Sequence, residues 1–454
     1  MTPYLHQEQM ADTIEASPNW GFWHDTGTGK TIGVLLGLDR VKPFPCLVLA
    51  PKHVVTHAWL EDSKHFPDIR VVAAVGSKKR RERAYLAVHS GEADVLVTNY
   101  EAARTRQDRA AVEHIQWEAV VCDESTKIKS ASGQTSRLLR RLARRLPGAS
   151  RYCLSGYPAP NDRSDLWAQM DFIKPGFLGG SFHGFRSKYF YQPRSELSWL
   201  WTPKLGSEEE IDEEVGKLSS WLRKEDCLEL PPKIDEFHEV ELKRPERKAY
   251  NDFISDWVLE FQEGDVQATN AFVQLMKCRQ MTAGIVRRTD GEWEELGKSK
   301  LSVVQELVED DPSPVIIVGQ YRRELERLHD LWPENSYLLY GGLSTREADE
   351  AITGFQQGKR KTLLCHPAAM GHGLTFTNCS RMIFASLDYS FELYAQVKDR
   401  IHRIGQEKSC VYHHLLAKDT VDQAILNALR GKQTLTLDMI DFARRTSRPG
   451  SVTG

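Results

Sequence analysis

Three short strings in this chain carry side chains that could together hydrolyse a nucleotide: HDTGTGKT at 24–31, the Asp123 and Glu124 pair in AVVCDESTKIKS, and DRIHRIGQ at 399–406. In the first, Gly27 and Gly29 let backbone N–H groups close on phosphates, and TIGVLLGL then opens a helix whose N-terminus favours anions. Thr26, Gly27, Thr28 and Gly29 would form the cradle, Lys30 would meet the β and γ phosphates, and Thr31 would hold Mg²⁺. The strict form of this loop has a glycine where His24 stands. In phosphoryl transfer an acid at the end of an apolar strand holds Mg²⁺ through water while its neighbour positions or deprotonates the attacking water, which gives Asp123 the first role and Glu124 the second. Arg400 and Arg403, three residues apart, are expected on one helical face, where they would neutralise charge on the departing γ phosphate.

Such groups need a frame that presents them from distant parts of the chain. The first 160 residues alternate apolar runs, CLVLA (46–50), VVAAV (71–75), VLVT (95–98), AVVC (119–122) and RYCL (151–154), with polar, helix-compatible stretches; residues 20–23 read as a further short strand. Uniformly apolar runs at this spacing predict a parallel sheet covered on both faces. The rhythm returns after residue 300 in VIIV (315–318), SYLLY (336–340), KTLLC (361–365), MIFA (382–385) and CVYHHL (410–415). The fold class is therefore α/β, with two lobes that are each a parallel sheet flanked by helices. Between them lie aromatic loops and helical stretches. SEEEIDEEVGKLSSWL (207–222) predicts one amphipathic helix capped by Ser207, with Ile211, Val215, Leu218 and Leu222 as its apolar stripe. LPPK (230–233) predicts a linker. The expected domains are 1–235, with a helical protrusion at about 165–230, and 236–454, with a helical insertion at about 240–300.

Composition narrows the class without naming a ligand. Lys and Arg (60) nearly balance Asp and Glu (63) over 454 residues, so any nucleic-acid surface must be a local patch. The eight cysteines are scattered, with no CxxC pair and no Cys/His cluster of zinc spacing, which points to a reducing compartment and no structural metal. The first residues lack the basic start and apolar core of a signal peptide, and no apolar run approaches the roughly 20 residues that span a bilayer. The expectation is an intracellular protein without a membrane segment, acting as a monomer, from a bacterial or viral source.

Taken together, these strings resemble superfamily 2 helicase-like ATPases, and most closely the Swi/Snf-type double-stranded DNA translocases, over nearly the whole chain. LSGYPAPNDRSDLWAQMDFI (154–173) looks like that family's motif III and the signature after it, LRKEDCLELPPK (222–233) its junction before the second lobe, and FASLDYSFELYAQVKDRIHRIGQ (384–406) its motif VI region. APKHVVTHAW (50–59), VTNYE (97–101), VIIVGQY (315–321), YGGLSTRE (340–347) and HPAAMGHGLTF (366–376) are similar to motifs Ia, Ib, IV, the stretch after it, and V. The resemblance implies two RecA-like lobes and the cofactors ATP and Mg²⁺. It also implies that Gln7 reads adenine, that Ser155, Gly156 and Gly373 couple hydrolysis to lobe movement, and that Gln396 lines the nucleotide cleft. The chain departs from the family pattern at Ser125 and Thr126, where Ala-His or Gly-His is usual, at Tyr157 in motif III, and in MGHGL of motif V.

The function implied is an ATP-driven motor on double-stranded DNA that does not require strand separation. Its DNA contacts would come from Lys52, Thr98, Arg346 and Thr375, since phosphate contacts of this kind position a protein without reading sequence. KKRRER (78–83) and RLLRRLARRL (137–146) are the local basic runs, the second reading equally well as the solvated face of a lobe helix. The competing readings are a strand-separating helicase or the motor part of a restriction-like complex and, further off, a non-hydrolysing nucleic-acid clamp. A P-loop kinase or GTPase leaves the second sheet unexplained.

Overall fold

A run of fully apolar residues is stable as a strand only if both faces of the sheet are covered, and the computed structural model shows that covering twice. It describes residues 2–192, 201–262, 268–370 and 374–431. Two compact units divide at 229/230, six residues ahead of the 235/236 boundary expected and just at LPPK.

The first unit holds a seven-stranded sheet of Asn19–His24 (β1), Cys46–Ala50 (β2), Val71–Ala74 (β3), Val95–Asn99 (β4), Ala119–Asp123 (β5), Ser150–Leu154 (β6) and Ser219–Leu222 (β7). The spatial order is β3-β4-β2-β5-β6-β1-β7 and every pairing is parallel. Alternate side chains sort to the two faces: Phe22, Val48, Val97, Val121 and Tyr152 lie in one core with Met10, Ile14 and Leu35, and Trp23, Leu47, Leu96, Val120 and Cys153 lie in the other with Leu139 and Trp167. That two-sided burial is the physical source of the unbroken apolar runs.

On the first face, Leu5–Ala16 (α1) packs against Lys30–Val41 (α2) at close range. A Cβ on Gly37 would stand 2.7 Å from Ile14 Cδ1, and one on Gly33 2.8 Å from Met10 Sδ, so the helices approach only because these positions lack side chains. Gln134–Arg145 (α3) and Asp165–Ile173 (α4) cover the second face. In the basic run on α3, Arg140 and Arg144 pair with buried Asp171 at 3.3 and 2.9 Å and Arg145 donates to the Ile115 carbonyl, while Arg137 and Arg141 are exposed.

One sequence expectation is corrected here. The helix predicted over 207–222 is Ser207–Gly216 (α5), capped by Gly206 rather than Ser207, and residues 219–222 are β7. Ile211 and Val215 are buried as expected, but Leu222 pairs with His24 across the sheet. The open edge of β1 is satisfied by a strand, and that requirement overrides the helical spacing.

The second unit begins with Lys233–Val240 (β8), followed by Arg244–Gln262 (α6) and Ala268–Thr282 (α7) as the helical insertion. Its six-stranded parallel sheet adds Val315–Val318 (β9), Ser336–Leu339 (β10), Thr362–Cys365 (β11), Arg381–Phe384 (β12) and Cys410–Ala417 (β13), in the order β8-β13-β12-β9-β11-β10. Thr345–Gln356 (α8) and Phe391–Lys398 (α9) lie between its strands in sequence. Every apolar run singled out in the two halves of the sequence is a strand of one of these sheets. No helix among the described residues is long and apolar enough to cross a membrane, and all eight cysteines are free thiols.

Because Gly37 sits where α1 and α2 touch, Gly37→Val should destabilise the first unit by about 1–3 kcal/mol, the usual cost of overpacking. A urea titration followed by tryptophan fluorescence checks this, with a lowered midpoint and an unchanged slope expected.

Candidate functional site

In a parallel sheet the carboxyl ends of adjacent strands lie side by side. β5, β6 and β1 are neighbours in that order, so the loops leaving them are brought together. These loops carry Asp123 and Glu124, then Ser155 and Gly156, then the HDTGTGKT string. The contact is direct: a Cβ on Gly156 would stand 3.0 Å from Thr26 Cγ2 and 3.1 Å from Thr26 N. Ser155 is fully buried, its backbone N–H bonds to the Phe22 carbonyl, and its hydroxyl accepts from Tyr157 N at 3.1 Å.

The phosphate loop runs from the end of β1 to the start of α2, as the sequence implies. Gly29 caps α2 in the left-handed conformation at φ +75°, where a Cβ would also lie 2.1 Å from Gln7 Nε2. Lys30 is buried and donates from Nζ to the carbonyls of His24 at 2.7 Å and Asp25 at 3.0 Å, so the loop is wrapped around its own lysine. Thr28 donates to the Asp25 carbonyl, and Thr31 is half-buried in the first turn of α2. Gln7 lies on this loop, its amide donating to the Thr28 and Gly29 carbonyls at 3.4 Å, while His6 Nε2 donates to Thr28 O at 2.7 Å. The residue expected to read adenine is thus part of the loop's own support.

His24, the departure from a glycine, is buried beside Lys30. Burial first, then the charges of Lys30 and His6, hold its pKa down at about 3, so the imidazole is neutral. Its Nε2 lies 3.0 Å from Ser220 Oγ on β7, which joins the loop to the added edge strand.

The acid pair sits at the end of β5. Asp123 is buried, and Trp59 Nε1 donates to Oδ2 at 2.9 Å while Glu124 N donates to Oδ1 at 2.9 Å. Tyr100 donates its hydroxyl to the Asp123 carbonyl at 2.7 Å. Glu124 adopts the left-handed region at φ +50°, a strained state for a residue with a Cβ, and its carbonyl accepts from Lys127 N. The donor set suits Mg²⁺, because a carboxylate held in place by the Trp59 and Glu124 N–H groups is a hard oxygen ligand. Ser125 donates at 2.6 Å to Gln169 Oε1, and Gln169 Nε2 donates to the carbonyls of Pro158 and Asp165. A buried amide thereby bridges the segment after the acid pair to the segment after Gly156.

Trp59, Tyr100 and Gln169 escaped the sequence reading as site residues. Trp59 is fully buried, as a core residue would be, but its indole N–H also holds the acid. The only available signal was its place in the segment resembling motif Ia, just as Tyr100 lies in the segment resembling motif Ib.

In the second unit the structure corrects the arginine reading. α9 ends at Lys398, so Arg400 and Arg403 lie in the following turns and not on one helical face. Gly405, at φ +92°, and buried Gln406, which donates to the Cys379 and Ile401 carbonyls, hold that loop in place of a helix. Arg400 is buried, and Arg403 is partly exposed with Nη1 donating to Thr375 Oγ1 at 3.1 Å. His402 Nε2 donates to the Pro231 carbonyl at 2.8 Å. Gln396 is buried on α9, with its amide donating to Glu392 at 3.3 Å.

The DNA candidates divide. Lys52 and Arg346 are exposed near helix starts. Thr98 is corrected: it is fully buried within β4 and donates to the Ala74 carbonyl at 3.0 Å, because its place in a covered strand leaves no path to a ligand. Thr375 is half-buried beside Arg403. Gly373 lies outside the described residues.

Comparison with known proteins gives two family matches: an SNF2-related domain over residues 8–285 and a helicase conserved C-terminal domain over 299–405. The chain is similar to putative protein p41 of Acyrthosiphon pisum secondary endosymbiont phage 1, 27% identical over 98% of this chain and 99% of that one. It is also similar to the putative ATP-dependent helicase/translocase YwqA of Bacillus subtilis, 28% identical over 92% of this chain and 46% of the relative. A human SWI/SNF-related regulator of chromatin, subfamily A member 1, is 26% identical over 92% of this chain and 41% of its own length. The chain thus spans less than half of the latter two. Among solved structures, the Sulfolobus solfataricus SWI2/SNF2 ATPase core in complex with dsDNA aligns over 99% of this chain and 95% of that one, at 20% identity and a TM-score of 0.43.

Two outcomes are expected from this geometry. Trp59→Phe keeps an aromatic ring but removes the N–H to Asp123, a bond to a charged group worth about 1.5–3 kcal/mol; the melting temperature should fall by several degrees, and kcat/KM for ATP should fall with it, as thermal melting and steady-state kinetics check. For His24, the unfolded chain takes up a proton near pH 6.5 and the folded chain only near about 3, so stability is full above pH 6.5 and falls as the pH drops below it. Between pH 6 and 4 the wild type should lose about 1.4 kcal/mol per pH unit more than His24→Asn in denaturant titrations.

Proposed function

The chain belongs to the SNF2-related family of ATP-dependent, helicase-like hydrolases, and we propose that it is a motor that translocates along double-stranded DNA without obligatory strand separation. The observation that carries this reading is the SNF2-related match over residues 8–285, which contains the phosphate loop, the acid pair and the Ser155–Gly156 turn that pack together in the first unit. The helicase C-terminal match over 299–405 takes in Arg400 and Arg403. YwqA, whose name includes translocase, supports the same direction.

In this reading Lys30 exchanges its backbone carbonyl partners for nucleotide phosphates, and Thr26 to Gly29 supply N–H donors. Thr31 and Asp123 would hold Mg²⁺, which neutralises phosphate charge when bound. Glu124 orients the attacking water from its strained backbone position. Arg403, the more exposed of the two arginines, would meet the γ phosphate, and Arg400, buried, would fix the turn. Lys52 and Arg346 contribute DNA phosphate contacts, so binding should weaken steeply as salt rises. The chain acts as a monomer.

The test is ATPase activity with duplex DNA, single-stranded DNA and RNA, together with triplex displacement and strand displacement. Duplex should stimulate turnover and triplex displacement should be seen without unwinding. Lys30→Ala should abolish turnover, and Arg403→Ala should reduce kcat by about a thousandfold, as loss of an arginine finger does. Stimulation by RNA or single strands alone, or efficient unwinding, would replace this reading with the strand-separating helicase; no turnover with any nucleic acid would leave the clamp.

A further inference from the structure

Among the described residues, one group of three metal-ligating side chains converges away from the nucleotide loop: Glu236 and His238 on β8, and His413 on β13. The sheet makes this possible. β8 and β13 pair in parallel along eight residues, with Glu236 opposite His413, so all three side chains project from one face by the two-residue alternation of strands. His414, next in sequence, lies on the opposite face with Asp235, Phe237 and Phe384.

The ligand atoms form a small triangle. His413 Nδ1 is 3.1 Å from His238 Nε2 and 3.1 Å from Glu236 Oε2, and the remaining side is 3.8 Å. A tetrahedral zinc ion with bonds of about 2.0–2.1 Å has ligand-to-ligand edges of about 3.3–3.4 Å, which these sides bracket. Arg381, which neighbours His413 in the sheet, is paired with Asp311 at 3.1 Å and donates to the Leu307 carbonyl.

We propose that Glu236, His238 and His413 form a binding site for a divalent transition-metal ion of the zinc class, with water in the fourth position. Two imidazoles and a carboxylate suit Zn²⁺ or Co²⁺ and not Mg²⁺, which prefers an octahedron of oxygens. The ion would clamp the first strand of the second unit to the last. β8 starts three residues after the linker's first residue, and β13 follows the loop of Arg400 and Arg403, itself tied to Pro231 by His402. The site therefore braces the arginine-bearing loop against the linker.

The experiment uses the full chain, stripped with chelator and free of nucleotide, titrated with Co²⁺ as the probe and then with Zn²⁺. One Co²⁺ per chain with visible tetrahedral d–d bands, no thiolate charge-transfer band, displacement by Zn²⁺ and a raised melting temperature are expected. The Glu236→Gln, His238→Asn double variant, whose replaced side chains are partly exposed and leave the pairing of β8 intact, should lose these signals; Lys30→Ala should keep them. Equal binding by wild type and double variant, binding with thiolate bands, or no binding at all would overturn the proposal, and none of these outcomes bears on whether duplex DNA stimulates hydrolysis.

Discussion

Asp123 is a buried carboxylate at the end of a wholly apolar strand, and the site around it exists because such a group cannot be left without donors. An unpaired buried charge costs several kcal/mol, more than a domain of marginal stability can carry at many positions. The chain meets this cost with an indole N–H from Trp59 and a backbone N–H from Glu124, and a Tyr100 phenol holds the backbone carbonyl of Asp123. Each donor comes from a different segment. The requirement to satisfy one acid thus fixes the segments after β2 and β4 relative to β5, and it holds Glu124 in a backbone state it would not choose alone. Since Trp59 and Tyr100 lie in the stretches resembling motifs Ia and Ib, any ligand that moves those stretches is mechanically connected to the acid through two hydrogen bonds.

Topology supplies the second constraint. Strand order β5-β6-β1 would place three loops at one sheet edge in any sequence of this fold, but adjacency alone does not make contact. Contact is eased by the absence of a side chain at Gly156, where a Cβ would crowd Thr26 N at 3.1 Å. Ser125 and Gln169 then link the turn after β5 to the same turn by way of Pro158. The Ser125 hydroxyl and the Gln169 amide are neutral at every pH at which the protein folds, so this link between the turns is independent of protonation.

Much of this was legible in the sequence, for physical reasons that differ by element. The strands were readable because two-sided burial demands continuous apolar residues, and the phosphate loop because glycine spacing and a helix start are local. β7 was not, since Ser219–Leu222 continues the spacing of α5 and becomes a strand only because β1 has an open edge. The arginine turn was misread as helix because a three-residue spacing says nothing about where the helix stops; Gly405 and the buried Gln406 amide decide that. Thr98 was read as a surface contact from its motif, while its strand is covered on both faces. The Glu236, His238 and His413 triangle joins residues 175 positions apart in the case of its two histidines, and only strand register reveals it.

The two arginines illustrate how one loop divides stability from reactivity. A guanidinium open to a ligand needs exposure, whereas one that shapes the turn needs burial. Arg403, partly exposed, meets the first condition, and Arg400, 1% exposed with its own backbone carbonyl accepting from Phe376 N, meets the second. The rest of the loop has no such freedom, since His402 is fastened to Pro231 and Gln406 to three carbonyls. Strain or displacement at Pro231 is therefore transmitted to the backbone next to Arg403 through the His402 hydrogen bond.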